Sequence, residues 1–294
     1  MLFEDLFNDF LEYAEKRHKK QGFITLQTDF KNHVLPYFIG KDIISITKKD
    51  IVDWENDILS HNFSNKYNSK IYYSFNYFMK YCYNLGYVNS NFVSEVGSFP
   101  KKVEYKSHTV YTLSQFLRFR YYINNVIIKQ YFNFMYFYGT RPSETMALRF
   151  CDIKGRYVYI RHSLHRKGNR DLDTPKNQSS IRILKVKFPM LVSFYLLKRF
   201  YIRKFGLFSV DYFVFGGKKP LAPTTIDRIK ENACKRAKTP YITQHEFRHS
   251  YATRKIHRKV PIDKVSRSLG HSKVSTTLDY YLHQEKNTCS VFFD

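Results

Sequence analysis

The stretch Ile242-Thr243-Gln244-His245-Glu246-Phe247-Arg248-His249 sets a histidine and an arginine three residues apart. On an α-helix that spacing puts both side chains on one face, where they can reach into one pocket. Three other stretches of the chain have a similar character. Upstream, Tyr138-Gly139-Thr140-Arg141-Pro142-Ser143-Glu144 carries an arginine just beyond a glycine at a helix end, with Leu148 and Asp152-Ile153 after it. Between the two lies Thr174-Pro175-Lys176, followed by Ser179, Ser180 and Arg182. Downstream, Leu269-Gly270-His271-Ser272 leads to Thr276-Thr277-Leu278-Asp279-Tyr280-Tyr281-Leu282-His283.

These residue types share a chemistry. Two arginines suit a five-coordinate phosphorus, because each planar guanidinium fork binds two nonbridging oxygens. With a lysine, two histidines and a tyrosine, the set has the makings of a phosphoryl-transfer site that works without a metal. The sequence holds no carboxylate cluster able to bind magnesium, so no metal and no cofactor is expected.

The composition points to a polyanionic partner. The chain has 294 residues, with 49 Lys and Arg against 25 Asp and Glu, a formal net charge of +24. Positive charge of that size repels itself in a compact fold and calls for a counter-charge. The basic residues recur along the whole chain rather than in one amphipathic stripe, which favours nucleic acid over a membrane surface. The longest apolar run, Phe188 to Leu197, is too short to span a bilayer, which takes about 20 residues. The acidic start Met1-Leu2-Phe3-Glu4-Asp5 is unlike a secretory signal, so a cytoplasmic protein is expected. Cys82, Cys151, Cys234 and Cys289 lie far apart and form no CxxC pair, which argues against a zinc knuckle or a disulfide framework.

The hydropathy pattern predicts a mainly α fold with a small antiparallel β-sheet in the C-terminal domain. Phe3, Leu6, Phe7, Phe10, Leu11 and Ala14 step by threes and fours, as one helical stripe does. Further helices are expected from about Thr25 to Phe38, after Thr47 with Ile51, Trp54 and Ile58 inward, and from about Asn65 to Leu85 with Gly86 as the stop. Residues 1–98 therefore read as a four- or five-helix bundle, 99–108 as a basic linker, and 109–294 as a second domain. There Thr112 and Gln115 have the spacing of a capping box. The aromatic series Tyr131, Phe132, Phe134, Met135, Phe137 and Tyr138 reads as a buried helix. Tyr157–Ile160 and Ile181–Val186 read as strands flanking a polar hairpin, and helices resume near Phe188.

In order and in combination, these motifs resemble those of the tyrosine recombinase (phage integrase) family, and the resemblance covers nearly the whole chain. Its flavour is that of integrases from conjugative transposons and phages. The resemblance implies that the first domain is a core-type DNA-binding bundle with no arm-binding domain ahead of it, and that the second is catalytic. Carried over residue by residue, it implies Arg141 as the first catalytic arginine, His245 and Arg248 from the second box, His271 from Leu-Gly-His-Ser, and Tyr281 as nucleophile. Lys176 is implied as the hairpin general acid, since Ser179-Ser180-Ile181-Arg182 leads straight into a strand pattern. Lys167, in Arg166-Lys167-Gly168-Asn169, is the alternative and resembles the hairpin lysine of Xer-type recombinases. Tyr280, nine residues after His271, is the alternative nucleophile, whereas Tyr281-Leu282-His283 reproduces a Tyr-x-His ending. Glu144 and Asp152 are expected to be structural, buttressing Arg141 or capping, rather than acid–base groups.

The resemblance further implies cleavage and rejoining of DNA strands through a 3′-phosphotyrosyl intermediate, independent of ATP. The expected partner is double-stranded DNA bearing specific recombination sites. The protein would be a monomer when free and a homo-tetramer on synapsed DNA, with accessory DNA-bending proteins as further partners. It would act at the nucleoid, as part of a bacterial, archaeal or viral element. Lys101, Lys102 and Lys106 in the linker are the expected phosphate contacts. A type IB topoisomerase-like relaxing enzyme and a decayed recombinase that only binds DNA are the competing readings.

Overall fold

The computed structural model describes residues 1–100, 108–164, 172–173 and 181–270. The chain divides into two compact units, Met1–Tyr105 and Lys106–Asp294.

The first unit is helical: α1 (Phe3–Glu15), α2 (Lys20–His33), α3 (Leu35–Phe38), α4 (Lys48–Ser60), α5 (Asn65–Asn84) and α6 (Phe92–Val96). The α1 stripe Phe3, Leu6, Phe7, Phe10 and Ala14 is fully buried. Phe7 stacks on Phe30 of α2 with ring centroids 4.1 Å apart, and Phe3 stacks on Phe38 at 5.2 Å. Trp54 is buried too, and its indole N–H donates to the His33 carbonyl at 2.7 Å. Thr47 and Asp50 form a reciprocal capping box at the start of α4. Lys41 donates to Asp50 at 2.7 Å and, with the Thr47 hydrogen bonds, holds that carboxyl well below the usual range.

One expected helix differs. In place of a single element over residues 25–38, α2 begins at Lys20 and the chain breaks at Val34 before α3. Pro36 has no N–H to donate to the carbonyl four residues back, so a continuous helix cannot run through it. The early start escapes pattern reading because Lys20-Gln21-Gly22 offers no apolar periodicity.

The second unit adds α7 (Leu113–Tyr121), α8 (Val126–Tyr138), α9 (Pro142–Ala147), β1 (Ile153–Lys154), β2 (Tyr157–Ile160), β3 (Ser163–Leu164), β4 (Leu172–Asp173), β5 (Arg182–Lys185), α10 (Phe188–Phe205), α11 (Pro223–Ala237), α12 (Gln244–His257) and α13 (Ile262–Leu269). The fold is thus mainly helical with a small antiparallel sheet. Strand order is β1-β2-β5, with Tyr157 opposite Lys185 and Ile160 opposite Arg182. β3 and β4 pair separately. Thr112 and Gln115 cap α7 reciprocally.

Helix α8 is the spine of this unit. Tyr131, Phe132, Phe134, Met135 and Tyr136 are all fully buried. Phe116 of α7 stacks on Tyr136 at 3.8 Å, and Phe247 of α12 lies 5.0 Å from Phe132. An α12 packed along α8 brings its Arg248 to the C-terminal end of α8, where Arg141 follows. Among the described residues, no helix is long and apolar enough to cross a membrane.

Candidate active site

The site is built on the turn between α8 and α9. Gly139 ends α8 in the left-handed conformation, φ +66°. A Cβ there would collide with the Tyr251 ring and lie 2.9 Å from Leu269 Cδ2, so glycine is demanded by both backbone and packing. Gly86 shares the positive φ, at +78°, but has open space around it. We therefore expect Gly139→Ala to destabilise the fold by about 2–4 kcal/mol, combining strain with overpacking, and Gly86→Ala by only about 1 kcal/mol. Denaturant unfolding of the two variants checks this; equal losses would show that packing around Gly139 adds nothing to the backbone strain.

Arg248 and Arg141 meet at this turn. Arg248 is 5% exposed and donates from Nη1 to the Gly139 carbonyl at 2.9 Å. Arg141 is the N-cap residue of α9, and its backbone N–H donates to Glu144 Oε2 at 2.9 Å. Its guanidinium donates to Glu144 Oε1 at 2.6 Å and to the Gly270 carbonyl at 3.0 Å. Gly270 ends α13 in a left-handed cap, so Arg141 ties the start of α9 to the end of α13.

Glu144 is the counter-charge of the cluster, and of the two structural roles the sequence left open it fills both, capping α9 and bracing Arg141. It is 2% exposed and also accepts two hydrogen bonds from Arg182, at 3.1 and 2.8 Å. Burial pushes its carboxyl up. Arg182, by charge and hydrogen bonding, and then Arg141 and Arg248 by charge outweigh that and hold it at about 2. The carboxylate is ionised at every working pH and acts as an anchor rather than a proton carrier. Asp152 serves the fold elsewhere, accepting from Arg161 and from the Arg149 backbone N–H.

The histidines of α12 divide. His245, in the first turn, is exposed to solvent. His249 is half-buried, its ring 5.0 Å from that of His108. Burial first, then the charges of His108, Arg248 and His245, bring the His249 pKa down to about 4, so its imidazole is neutral at neutral pH. Thr243 and Glu246 cap the helix reciprocally, and Glu246 also accepts from the Thr109 N–H at 2.9 Å, which fixes the entry to the unit against α12.

The described residues thus bring Arg141, Arg248 and the Gly270 end of α13 together, with His245 on the same helix as Arg248. Lys176, Lys167, His271, Tyr280, Tyr281, Lys101, Lys102 and Lys106 lie outside the described residues. Two members of the cluster escape a reading of the sequence. Arg182 belongs to the Ser-Ser-x-Arg run, but its partner is 38 residues away and nothing local announces it. His249 adjoins Arg248, and its burial emerges only once α12 is packed. In the first unit, Lys70 of α5 pairs with Asp29 at 2.7 Å.

Guanidinium groups gathered around one ionised carboxylate leave an excess of positive charge at a helix junction, a setting for an anionic oxygen. Comparison with known proteins gives this setting a family. Residues 110–288 match the phage integrase family, and residues 2–59 match the phage integrase N-terminal SAM-like domain. The ICEBs1 integrase of Bacillus subtilis (strain 168) is 25% identical over 97% of this chain and 80% of its own length. A tyrosine recombinase of Thermosipho africanus (strain TCF52B) is 27% identical over 96% of each chain. Among solved structures, the Tn1549 transposon integrase in complex with transposon right end DNA superposes with a TM-score of 0.74 at 17% identity, over 99% of this chain and 100% of that one. The chain belongs to the phage integrase family. It is a tyrosine recombinase, an enzyme of DNA strand cleavage and religation, and the topoisomerase-like and binding-only readings are not favoured.

Proposed function

We propose that this recombinase moves or excises a mobile element by exchanging strands between specific DNA sites, with Arg141 and Arg248 holding the scissile phosphate. The observation that carries the reading is that these two arginines, 107 positions apart, flank the single turn that leaves α8. The ICEBs1 and Tn1549 relatives support a role in a mobile element.

In this mechanism the Tyr281 oxygen attacks the phosphorus in line. The new P–O bond leaves a 3′-phosphotyrosine, and the P–O5′ bond breaks. Arg141 and Arg248 stabilise charge developing on the nonbridging oxygens, a contribution of order 10²–10³ in rate for one well-placed donor. His245 accepts the tyrosine proton, Lys176 supplies a proton to the departing 5′-oxygen, and His271 assists at the phosphate. The linkage energy stays in the phosphotyrosine, so the 5′-hydroxyl of a partner strand can reverse the step without ATP.

Two sites present four strands, one tyrosine acts on each and is released when a 5′-hydroxyl rejoins the strand, and four protomers complete the exchange. We assign residues 1–98 as a core-type DNA-binding domain, 99–108 as a linker whose Lys101, Lys102 and Lys106 meet backbone phosphates, and 109–294 as the catalytic domain. The protein is a monomer before it meets DNA, and DNA-bending proteins assist where the sites must be brought together.

Covalent capture on a nicked duplex, which traps the adduct by losing the 5′-hydroxyl fragment, tests the assignment. Tyr281→Phe is expected to abolish the adduct and Tyr280→Phe to retain it. The reverse pattern transfers the nucleophile to Tyr280, and adducts in both variants overturn the assignment of this segment.

A further inference from the structure

We infer that Arg182 is a positioning residue for the strand-cleavage reaction, holding Glu144 and the end of α13 so that Arg141 keeps its guanidinium set toward the phosphate. This rests on the reading of Arg141 as a phosphate-holding residue.

The geometry gives the two arginines different roles. Arg182 is 7% exposed at the side chain, and each of its three nitrogens is tied to protein. Nε donates to the Ser268 carbonyl at 2.8 Å, Nη1 to Glu144 Oε1 at 3.1 Å and Nη2 to Glu144 Oε2 at 2.8 Å. The fork is thus engaged bidentately on a carboxylate, the arrangement with the most geometric specificity. Arg141 donates to the same carboxylate, sharing Oε1 with Arg182, and is 31% exposed at the side chain. Both arginines also serve one helix end: Arg182 takes Ser268 O and Arg141 takes Gly270 O. The last carbonyls of a helix lack intrahelical donors and carry partial negative charge, so two guanidinium groups there satisfy acceptors and dipole together.

Arg182 therefore joins three segments that the reaction needs in register. It starts β5, the strand that follows the Lys176 segment. It grips Glu144, which positions Arg141. It anchors the α13 terminus, from which the chain continues to His271. Charge balance supplies a second reason. With two guanidinium groups sharing Glu144, neither is fully neutralised by it. Without Arg182, the carboxylate draws on Arg141 in competition with the phosphate. DNA binding, spread over many cations, is spared, while the cleavage step slows.

The test uses the full-length chain. Arg182→Lys, Glu144→Gln, the double variant and Arg141→Ala are compared for melting temperature, for Kd on the duplex site, and for single-turnover covalent capture at saturating protein. Lysine keeps the charge and loses the fork. It should fold, bind DNA within about twofold of the parent, and capture on the order of 10- to 100-fold more slowly, as expected when a transition-state donor is misplaced. In the Glu144→Gln background, Arg182→Lys should cost little more, because residues in one network act non-additively. The inference fails if Arg182→Lys captures at the parental rate. It fails equally if its loss follows the folded fraction or the Kd, or if the two substitutions add in full. If Arg141→Ala also captures at the parental rate, the underlying reading of Arg141 falls; if Arg141→Ala is inactive while Arg182→Lys is not, only the inference does.

Discussion

With Arg248 replaced by alanine, covalent capture of a nicked DNA substrate is expected to fall on the order of 10²- to 10³-fold, while DNA affinity stays close to that of the parent. The two halves of this expectation have different physical origins. Affinity for a duplex comes mainly from displacing counterions with many cations, and Arg248 is one of 49 Lys and Arg in a chain of net charge +24. The rate depends on a donor held still where charge develops. Arg248 is held in that way: it is buried on α12, anchored through Nη1 to the Gly139 carbonyl, and backed by Glu144, whose carboxylate feels its charge. Arg248→Lys separates charge from geometry. A lysine keeps the cation but has neither the fork nor the reach to span Gly139 and a phosphate oxygen, so it should recover folding and not rate. Capture by Arg248→Lys at the parental rate would mean that a point charge suffices, and that bidentate binding plays no part in the mechanism.

The same contrast between local and distant determinants explains what is legible in the sequence. Where a short pattern decides, the reading carries over to the structure. The α1 stripe, the Thr47 start of α4, the Thr112–Gln115 box, the aromatic run of α8 as far as Tyr136 and the β2–β5 pair all follow from spacing, and all are present. Phe137, expected inside with that run, is instead exposed because it falls on the outer side of α8. The break at Val34 does not, although Pro36 is in plain view, because an apolar run invites one helix through it. Arg141 and Arg248 stand out because their neighbours repeat a family pattern. Glu144 can be expected beside Arg141, three residues ahead on the same first turn. Arg182 cannot be paired with it, since Arg182 lies on a strand 38 residues beyond Glu144, and its other partner, Ser268, is 86 residues further on. His249 shows the same limit. A histidine next to an exposed-type His-x-x-Arg motif gives no sign of burial, and its lowered pKa follows first from the burial that packing of α12 imposes and then from the charges of His108 and Arg248.

Glu144→Gln should lower stability at neutral pH by about 3 kcal/mol, and the gap between variant and parent should close as the solution is acidified. The sign follows from the direction of the shift. Glu144 titrates at about 2 in the folded chain against its usual 4.5, so the folded state prefers the carboxylate more strongly than the unfolded state does. That preference is fully present above about pH 4.5 and is lost progressively toward pH 2, as the unfolded chain takes up a proton that the folded chain resists. A neutral glutamine resembles the protonated acid, so parent and variant should converge at the acid end of this window. The size follows from the charges left behind. At neutral pH glutamine removes the anion that Arg141 and Arg182 hydrogen-bond and whose charge Arg248 feels, in a site where Glu144 is 2% and the Arg182 side chain 7% exposed, and removing the charge from a buried ion pair is costly. Urea unfolding of both proteins from pH 7 to pH 3 measures the gap directly. A gap that stays constant across the series would show that the loss comes from shape or hydrogen-bond geometry. Glu144 would then cease to be the electrostatic centre on which the positions of all three arginines depend.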